Sequence, residues 1–383
     1  MFEGKIEKIL KLKTPAYYYD IDILNLTLKN LIENSKILNS IICYSFKANA
    51  NDNILKEIKK YNLGADCVSL GELKKAKNLD FKPIVFAGVG KTDEELEFAI
   101  SNDIFSINVE SIQELKVIID IARKLTKKAN ISLRINPNID PLTHKYITTG
   151  LEENKFGINF NEINEVIEII ENGKEHLNFV GLHFHIGSQI LDFNVFKNYC
   201  LKINETLKYF EERDFKIKYV NVGGGLGIDY YNPDKLPDFK NYFYTFYRFL
   251  DHINRAIIFE LGRSIVGQCG AYLVKVLYIK DSLNPNKKKV IVDGGMNHLI
   301  RPALYEAFHL IQNLSKYYEK PIYLYDIYGP ICESTDCFGK NMLLPLTERN
   351  DILAIRSAGA YGEAMISNYN LKGNPFIYYS NEP

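Results

Sequence analysis

The sequence predicts a closed parallel (β/α)8 barrel of the TIM type, an α/β unit, joined to an all-β C-terminal domain that also takes in a strand near the N-terminus. Three observations predict it. Eight short apolar runs, with helix-period stretches between them, fill residues 42–259. The chemically distinctive residues fall at the carboxyl ends of those runs rather than along the helices. After Arg263 the alternation stops and strand-like runs separated by turns take over. The expected boundaries are 22–263 for the barrel and 1–21 plus 264–383 for the β-domain.

Taken in order, PAYYYD at 15–20 reads as an isolated strand, and 22–38 as a helix with Ile23, Leu24, Leu28, Leu31 and Ile32 on one face. The eight barrel strands are expected at 42–46, 65–68, 84–87, 104–107, 131–135, 179–183, 218–222 and 257–259. Helical patterns lie between them at 53–61, 70–77, 92–101, 111–125, 162–171, 193–212 and 239–254. Two open on capping-box signatures, Thr92 with Glu95 and Ser111 with Glu114. Lys47 follows the first strand, Asp66 lies in the second, and Arg134 and Asn136 close the fifth. His185 and Ser188 follow the sixth, Gly223, Gly224 and Gly225 the seventh, and Glu260 ends the eighth. A barrel brings all of these to one face, whereas an open sheet spreads them along a line. In the β-domain, strand-like runs are expected at 271–280, 289–293, 321–328, 351–356 and 376–379, with a helical stretch at 302–318 and a solvated hairpin tip at 284–289.

Composition narrows the partners. Of 383 residues, 46% are apolar and 25% charged, and 47 basic side chains balance 47 acidic ones. That balance argues against nucleic-acid and membrane-surface partners, which draw on a basic excess. No apolar run approaches the ~18 residues of a membrane span, and the first residues lack a signal-peptide pattern, so a cytoplasmic protein is expected. The cysteines Cys43, Cys67, Cys200, Cys269, Cys332 and Cys337 are scattered with no CxxC pair, which predicts neither a zinc site nor a disulfide framework. No metal is expected.

Four features carry chemistry. Lys47 is an amine delivered at the exit of a buried strand; alone, it reads first as a solvated loop lysine, and only the other strand ends change that. The triple glycine is either a tight turn or a nest of backbone amides for an anion such as phosphate. His183 and His185, two apart, point the same way on a strand, for a metal or for stacking on an aromatic ligand. Glu260 at the end of an apolar strand needs a cation, either Arg263 or one belonging to a bound cofactor. Gly88 to Thr92 mimics the end of a phosphate-binding loop, but Val85 stands where the motif needs glycine, so Thr92 is read as a helix cap. Lysine, anion nest, flat histidine and buried carboxylate, each at the same end of a different strand, together describe a pyridoxal phosphate site.

On these residues the chain resembles the alanine-racemase-like (fold type III) pyridoxal phosphate decarboxylases, and within them the diaminopimelate decarboxylases. The likeness runs through YSFKANAN (44–51), GADCVSLGEL (64–73), VFAGVGKT (85–92), LRINPNIDPLTHKYITTG (133–150), NKFGI (154–158), HFHIGSQI (183–190), VNVGGGLGI (220–228), ELGRSIVG (260–267), VDGGMNHLIRPALY (292–305), GPICESTDCF (329–338) and GAYGEAMISNYN (359–370). THKYITTG, and RPALY with CES, point to diaminopimelate. Leu261 departs from the proline usual in the family.

The resemblance implies that Lys47 holds the cofactor through a Schiff base, Glu260 keeps its pyridine nitrogen protonated, and His185 stacks on its ring. Ser188, Gly223, Gly224, Gly225, Gly262 and Tyr361 would surround the phosphate, with Asp66 and Arg134 as supports. Arg263, Arg301, Tyr305, Glu333 and Tyr361 would meet the substrate's distal carboxylate and amine. Cys332 would protonate the carbon left by carbon dioxide, giving L-lysine from the D-centre of meso-diaminopimelate. Cys332 and Glu333 would reach the site from the partner in a homodimer. The alternatives are decarboxylation of ornithine, arginine or carboxynorspermidine, against which Arg301 speaks; racemisation, against which Glu260 speaks; and a non-enzymatic pyridoxal phosphate carrier, which leaves the β-domain residues without a purpose.

Overall fold

The computed structural model describes residues 1–137 and 155–382, which divide into two compact units. One comprises residues 28–227 and 238–262, the other residues 1–27, 228–237 and 263–383. No helix among the described residues is long and apolar enough to cross a membrane.

The first unit is a closed parallel barrel of eight strands: Ser40–Ser45, Gly64–Cys67, Ile84–Phe86, Ser106–Val109, Ala129–Arg134, Leu177–His183, Tyr219–Asn221 and Ala256–Leu261. Each pairs with the next, and the first pairs with the last. These strands read as near-continuous apolar runs because closure and a helical coat bury both their faces. The coat is aromatic in places: Tyr242, Phe243 and Phe246 of the helix Phe239–Phe249 surround Phe259 with ring centroids 4.9–5.7 Å apart. Two pairings matter for the rim, Ser45 opposite Asp66 and Cys43 opposite Glu260, since they fix the strands that carry both carboxylates on either side of the lysine strand.

The helix starts follow the capping signals with one difference. At Thr92 the box is complete, the threonine hydroxyl taking the Glu95 amide while the Glu95 carboxylate takes the Thr92 amide. At Ser111 only the first half forms. Glu114 instead divides its two oxygens, one accepting from the Glu110 amide at 2.8 Å and the other pairing with the buried Lys91 at 2.7 Å, an ammonium that needs a charged partner out of water.

The second unit is an eight-stranded sheet. The strand Ala16–Tyr19 lies within it, antiparallel to Gly270–Asp281 and parallel to Phe376–Tyr379. Lys287–Val292, Tyr323–Tyr328, Cys337–Leu344, Ile352–Ile355 and Ile311–Asn313 complete the sheet. The tip around residue 284 is an exposed turn held by the Asn284 side chain. The helix expected over 302–318 is a correction: helix covers only Arg301–Tyr305, and Ile311–Asn313 is a strand paired with Ile352–Ile355. Glu306 adopts the left-handed conformation, φ 53°, which ends the helix after little more than a turn.

Candidate active site

In the barrel unit, the first strand passes at Ser45 into the short turn Phe46–Ala48. Phe46 and Ala48 bury themselves, which leaves Lys47 facing outward with its side chain 36% exposed. Asn51 then caps the next helix through the Asn53 and Ile54 amides and stops the turn from moving on. Lys47 Nζ donates to Asp66 Oδ2 at 2.6 Å, and Ser45 Oγ donates to the same oxygen at 2.7 Å. Asp66 is fully buried, and its Oδ1 has no partner among the described residues. Burial and the nearby Glu260 charge push the Asp66 carboxyl above its ordinary range, while Lys47 and Ser45 oppose the rise.

Glu260 sits in a socket made by three other strands. Its Oε1 accepts from Asn221 Nδ2 at 2.6 Å and from Asn108 Nδ2 at 3.3 Å, and its Oε2 lies 3.3 Å from His183 Nε2. Burial disfavours the charge, but the neighbouring His183 and Lys47 side chains and the Asn221 donor outweigh it and hold the carboxyl well below the usual carboxylate range. Glu260 is therefore an anion despite a side chain only 4% exposed. Asn221 does a second job, its Oδ1 accepting from the Gly223 amide at 2.9 Å, so the carboxylate socket and the glycine turn share one side chain.

The glycines are needed for close approach. A Cβ on Gly223 would overlap the His185 ring, and one on Gly224 would overlap the Glu260 carbonyl; Gly223 and Gly225 also have positive φ, 65° and 101°. The turn thus lies against both His185 and the Glu260 strand, with the Gly224 amide 3.4 Å from His185 Nδ1. Burial, Arg134 and Lys47 push the His185 imidazole well below its normal range, leaving a neutral flat ring. Arg134 pairs with Glu110 at 2.5 Å, its guanidinium 4.7 Å from the Phe156 ring, and Glu110 also takes the Gly157 amide at 2.8 Å. Ser188 is half-buried in the loop after the sixth strand. Gly262 comes so near the lysine turn that a Cβ there would lie 2.9 Å from that of Ala48.

The β-unit gathers the other expected residues. Arg263 Nη1 and Arg301 Nη1 both donate to the Tyr230 hydroxyl, at 2.7 and 2.8 Å. The Arg263 guanidinium lies 4.8 Å from the Tyr361 ring centre, and Tyr305 ends the short helix that Arg301 begins. Arg301 also meets His309 Nε2 at 2.9 Å. Cys332 and Glu333 are exposed on a turn, Glu333 accepting from the Tyr369 hydroxyl at 2.5 Å. That turn is fixed by buried Asp336, whose two oxygens take the Met296 and Ile331 amides at 2.7 Å each.

The barrel residues Lys47, Asp66, His185, Gly223, Gly224 and Glu260 come together at one rim, and Arg263, Arg301 and Tyr361 cluster in the β-unit. The segment THKYITTG, 143–150, lies outside the described residues. Sequence reasoning missed His183, Asn221 and Asn108 around Glu260, Glu110 behind Arg134, and Tyr230, His309 and Asp336 in the β-unit. His183 was in view as half of the HFH pair, and Tyr230 stands five residues after the triple glycine; neither carries a signal of its partner.

The rim fits pyridoxal phosphate on its own geometry. An accessible lysine amine, a neutral imidazole, a glycine turn whose side-chain space is already filled by its neighbours, and a buried anion held by asparagine amides are what its aldehyde, ring, phosphate and pyridinium ends require. Residues 27–267 match the model of the pyridoxal-binding domain of the pyridoxal-dependent decarboxylases. The diaminopimelate decarboxylase of Bacteroides thetaiotaomicron is 47% identical over 98% of this chain and 98% of its own. Among solved structures, that of diaminopimelate decarboxylase from Helicobacter pylori complexed with L-lysine superposes with a TM-score of 0.89 at 41% identity, covering 98% of this chain and 94% of that one. The enzyme from Methanocaldococcus jannaschii, also with L-lysine, gives 0.88 at 38% identity over 98% of this chain and 89% of that one. By site, architecture and sequence over nearly its whole length, the chain belongs to the pyridoxal-dependent decarboxylases, on their diaminopimelate decarboxylase branch.

Proposed function

We propose that the chain decarboxylates meso-2,6-diaminopimelate at its D-configured centre, with pyridoxal phosphate, to give L-lysine and carbon dioxide. The observation that carries the chemistry is Glu260, an anion kept ionised in a buried socket by His183, Asn221 and Asn108. The choice of substrate is supported by the relatives named diaminopimelate decarboxylase and by the L-lysine in two solved neighbours.

When bound, pyridoxal phosphate supplies an electron sink for the pair left behind as the carboxylate departs. Lys47 would carry the cofactor, and Asp66, accepting from its Nζ, keeps the amine oriented. Glu260 would keep the pyridine nitrogen protonated, and the neutral His185 imidazole would stack on the ring. Ser188, Gly223, Gly224, Gly225, Gly262 and Tyr361 hold the phosphate, while Arg134, pinned by Glu110, keeps the rim in shape. Arg263, Arg301, Tyr305, Glu333 and Tyr361 take the distal carboxylate and ammonium, guanidinium matching carboxylate and glutamate matching amine. Cys332 returns a proton to the carbon that loses carbon dioxide.

Cys332 and Glu333 are exposed in the single chain, which supports their acting in the site of a second copy in a homodimer. Six free cysteines and the absence of net charge fit a cytoplasmic enzyme. The test is turnover of a panel of amino acids, following carbon dioxide and product. meso-Diaminopimelate should be converted to lysine fastest; faster release from ornithine or arginine would sink the substrate assignment.

A further inference from the structure

We propose that Tyr230 is a positioning residue for the substrate's distal carboxylate, its phenol oxygen holding the Arg263 and Arg301 guanidiniums on one common centre. This rests on the reading, given above, that those two arginines bind substrate.

Two buried guanidiniums near each other repel, and something between them must offset that repulsion. The only group that both donate to among the described residues is the Tyr230 oxygen, at 2.7 and 2.8 Å. Tyr230 is 8% exposed, and both of its described hydrogen bonds are received, so a phenolic hydrogen would have no acceptor there. An oxygen that accepts from both cations ties the two guanidiniums to one centre. Burial opposes ionisation, but the two arginines overcome it and bring the phenol below its ordinary range.

The surroundings agree. His309 packs edge-on to the Tyr230 ring, centroids 5.1 Å apart, and its Nδ1 lies 2.7 Å from the Arg356 carbonyl. A carbonyl only accepts, so Nδ1 carries the hydrogen and Nε2 is free to accept from Arg301 at 2.9 Å. Burial and Arg301 keep that imidazole neutral, down at about 3. Tyr305 and Tyr361 face Arg263, and Tyr17 faces Arg301. Asp229, next in sequence, is taken up by the Tyr231 and Asn232 amides. Two guanidiniums gathered on one oxygen leave the cluster positive, which suits a carboxylate. Arg301 is 4% exposed and its Nε has no partner among the described residues, so a donor remains for that carboxylate.

The experiment measures kcat and KM for meso-2,6-diaminopimelate on the holoenzyme with Tyr230→Phe, with Arg301→Met, and with a ring-fluorinated tyrosine at 230. Tyr230→Phe should raise KM roughly ten- to a hundredfold, the range of a lost hydrogen bond to a charged group, with kcat little changed. Absorption of the lysine-bound cofactor should not change. Fluorotyrosine, which keeps the oxygen that both arginines donate to, should keep KM near the parent's. If Arg301→Met raises KM and Tyr230→Phe does not, Tyr230 is not a positioning residue and the reading of the arginines stands. If neither raises KM, that reading fails and the proposal falls with it. Should the phenylalanine variant not fold, Tyr230→Leu takes its place, and a KM equal to the parent's overturns the proposal.

Discussion

The barrel rim and the arginine cluster of the β-unit solve opposite electrostatic problems. At the rim, charges are answered within the unit: the partly exposed Lys47 by Asp66, and the buried Arg134 by Glu110 and Glu260 by His183 and two asparagine amides. In the β-unit two buried guanidiniums share one phenol oxygen, and a donor is left over. The first arrangement suits a resident cofactor whose ring brings its own proton. The second suits an anion that comes and goes, because a fully compensated arginine pair would gain little from binding it.

The sharpest way to break this contrast is at the rim. Lys47→Ala should abolish the absorption of lysine-bound cofactor and lower kcat by roughly 10⁴-fold or more, since both anchor and amine exchange are lost. An unchanged spectrum would remove the rim from the chemistry altogether. Glu260→Gln comes next: the side chain keeps its shape and loses its charge, so cofactor should stay bound while kcat falls roughly 10²- to 10³-fold. A kcat within a few-fold of the parent would show that the ionised socket is incidental.

Mixing separates the two regions. If Cys332 serves a second copy, Lys47→Ala and Cys332→Ala chains, each inactive alone, should recover up to about a quarter of the parent activity on random exchange, because half the dimers then carry one intact site. No recovery after demonstrated exchange would place Cys332 in its own chain's site. The smallest effect concerns Glu72, which accepts from the Val68 amide at 2.8 Å and is pushed up to about 7, chiefly by burial and further by Asp66. Its folded value lies above the ordinary ~4.3, so its contribution favours the fold at low pH and is lost as pH rises from about 4 through about 7. Glu72→Gln should flatten that slope, making the variant gain about 2 kcal/mol on the parent between pH 5 and pH 8 in urea unfolding. Parallel pH profiles would show that burial does not raise the Glu72 carboxyl.

Much of this was legible in the chain itself, for physical reasons. Buried parallel strands need continuous apolar runs, and barrel closure sends their ends to one face, so Lys47, Glu260 and the triple glycine could be placed together before any coordinates. What could not be read was partnership across strands. Asn108, His183 and Asn221 are far apart in sequence and meet at Glu260 only because of strand order and register. Glu260 was expected to pair with Arg263 or with a cofactor's cation, and local spacing gave no hint of the amide socket that it has. The same limit hid Tyr230, one tyrosine of 26, and the short strand inside 302–318, where one left-handed residue overrides a helical pattern.

If the turn bearing Cys332 and Glu333 serves a second copy, Asp336 has a consequence for that assembly. By taking the Ile331 and Met296 amides on its two carboxylate oxygens, it sets the turn bearing Cys332 and Glu333 within each chain. A loop that is shaped before it meets a partner has little conformational entropy left to lose on docking. Asp336→Ala would move that ordering from folding to association, so its signature would be a chain that folds normally yet needs a higher protein concentration for full activity.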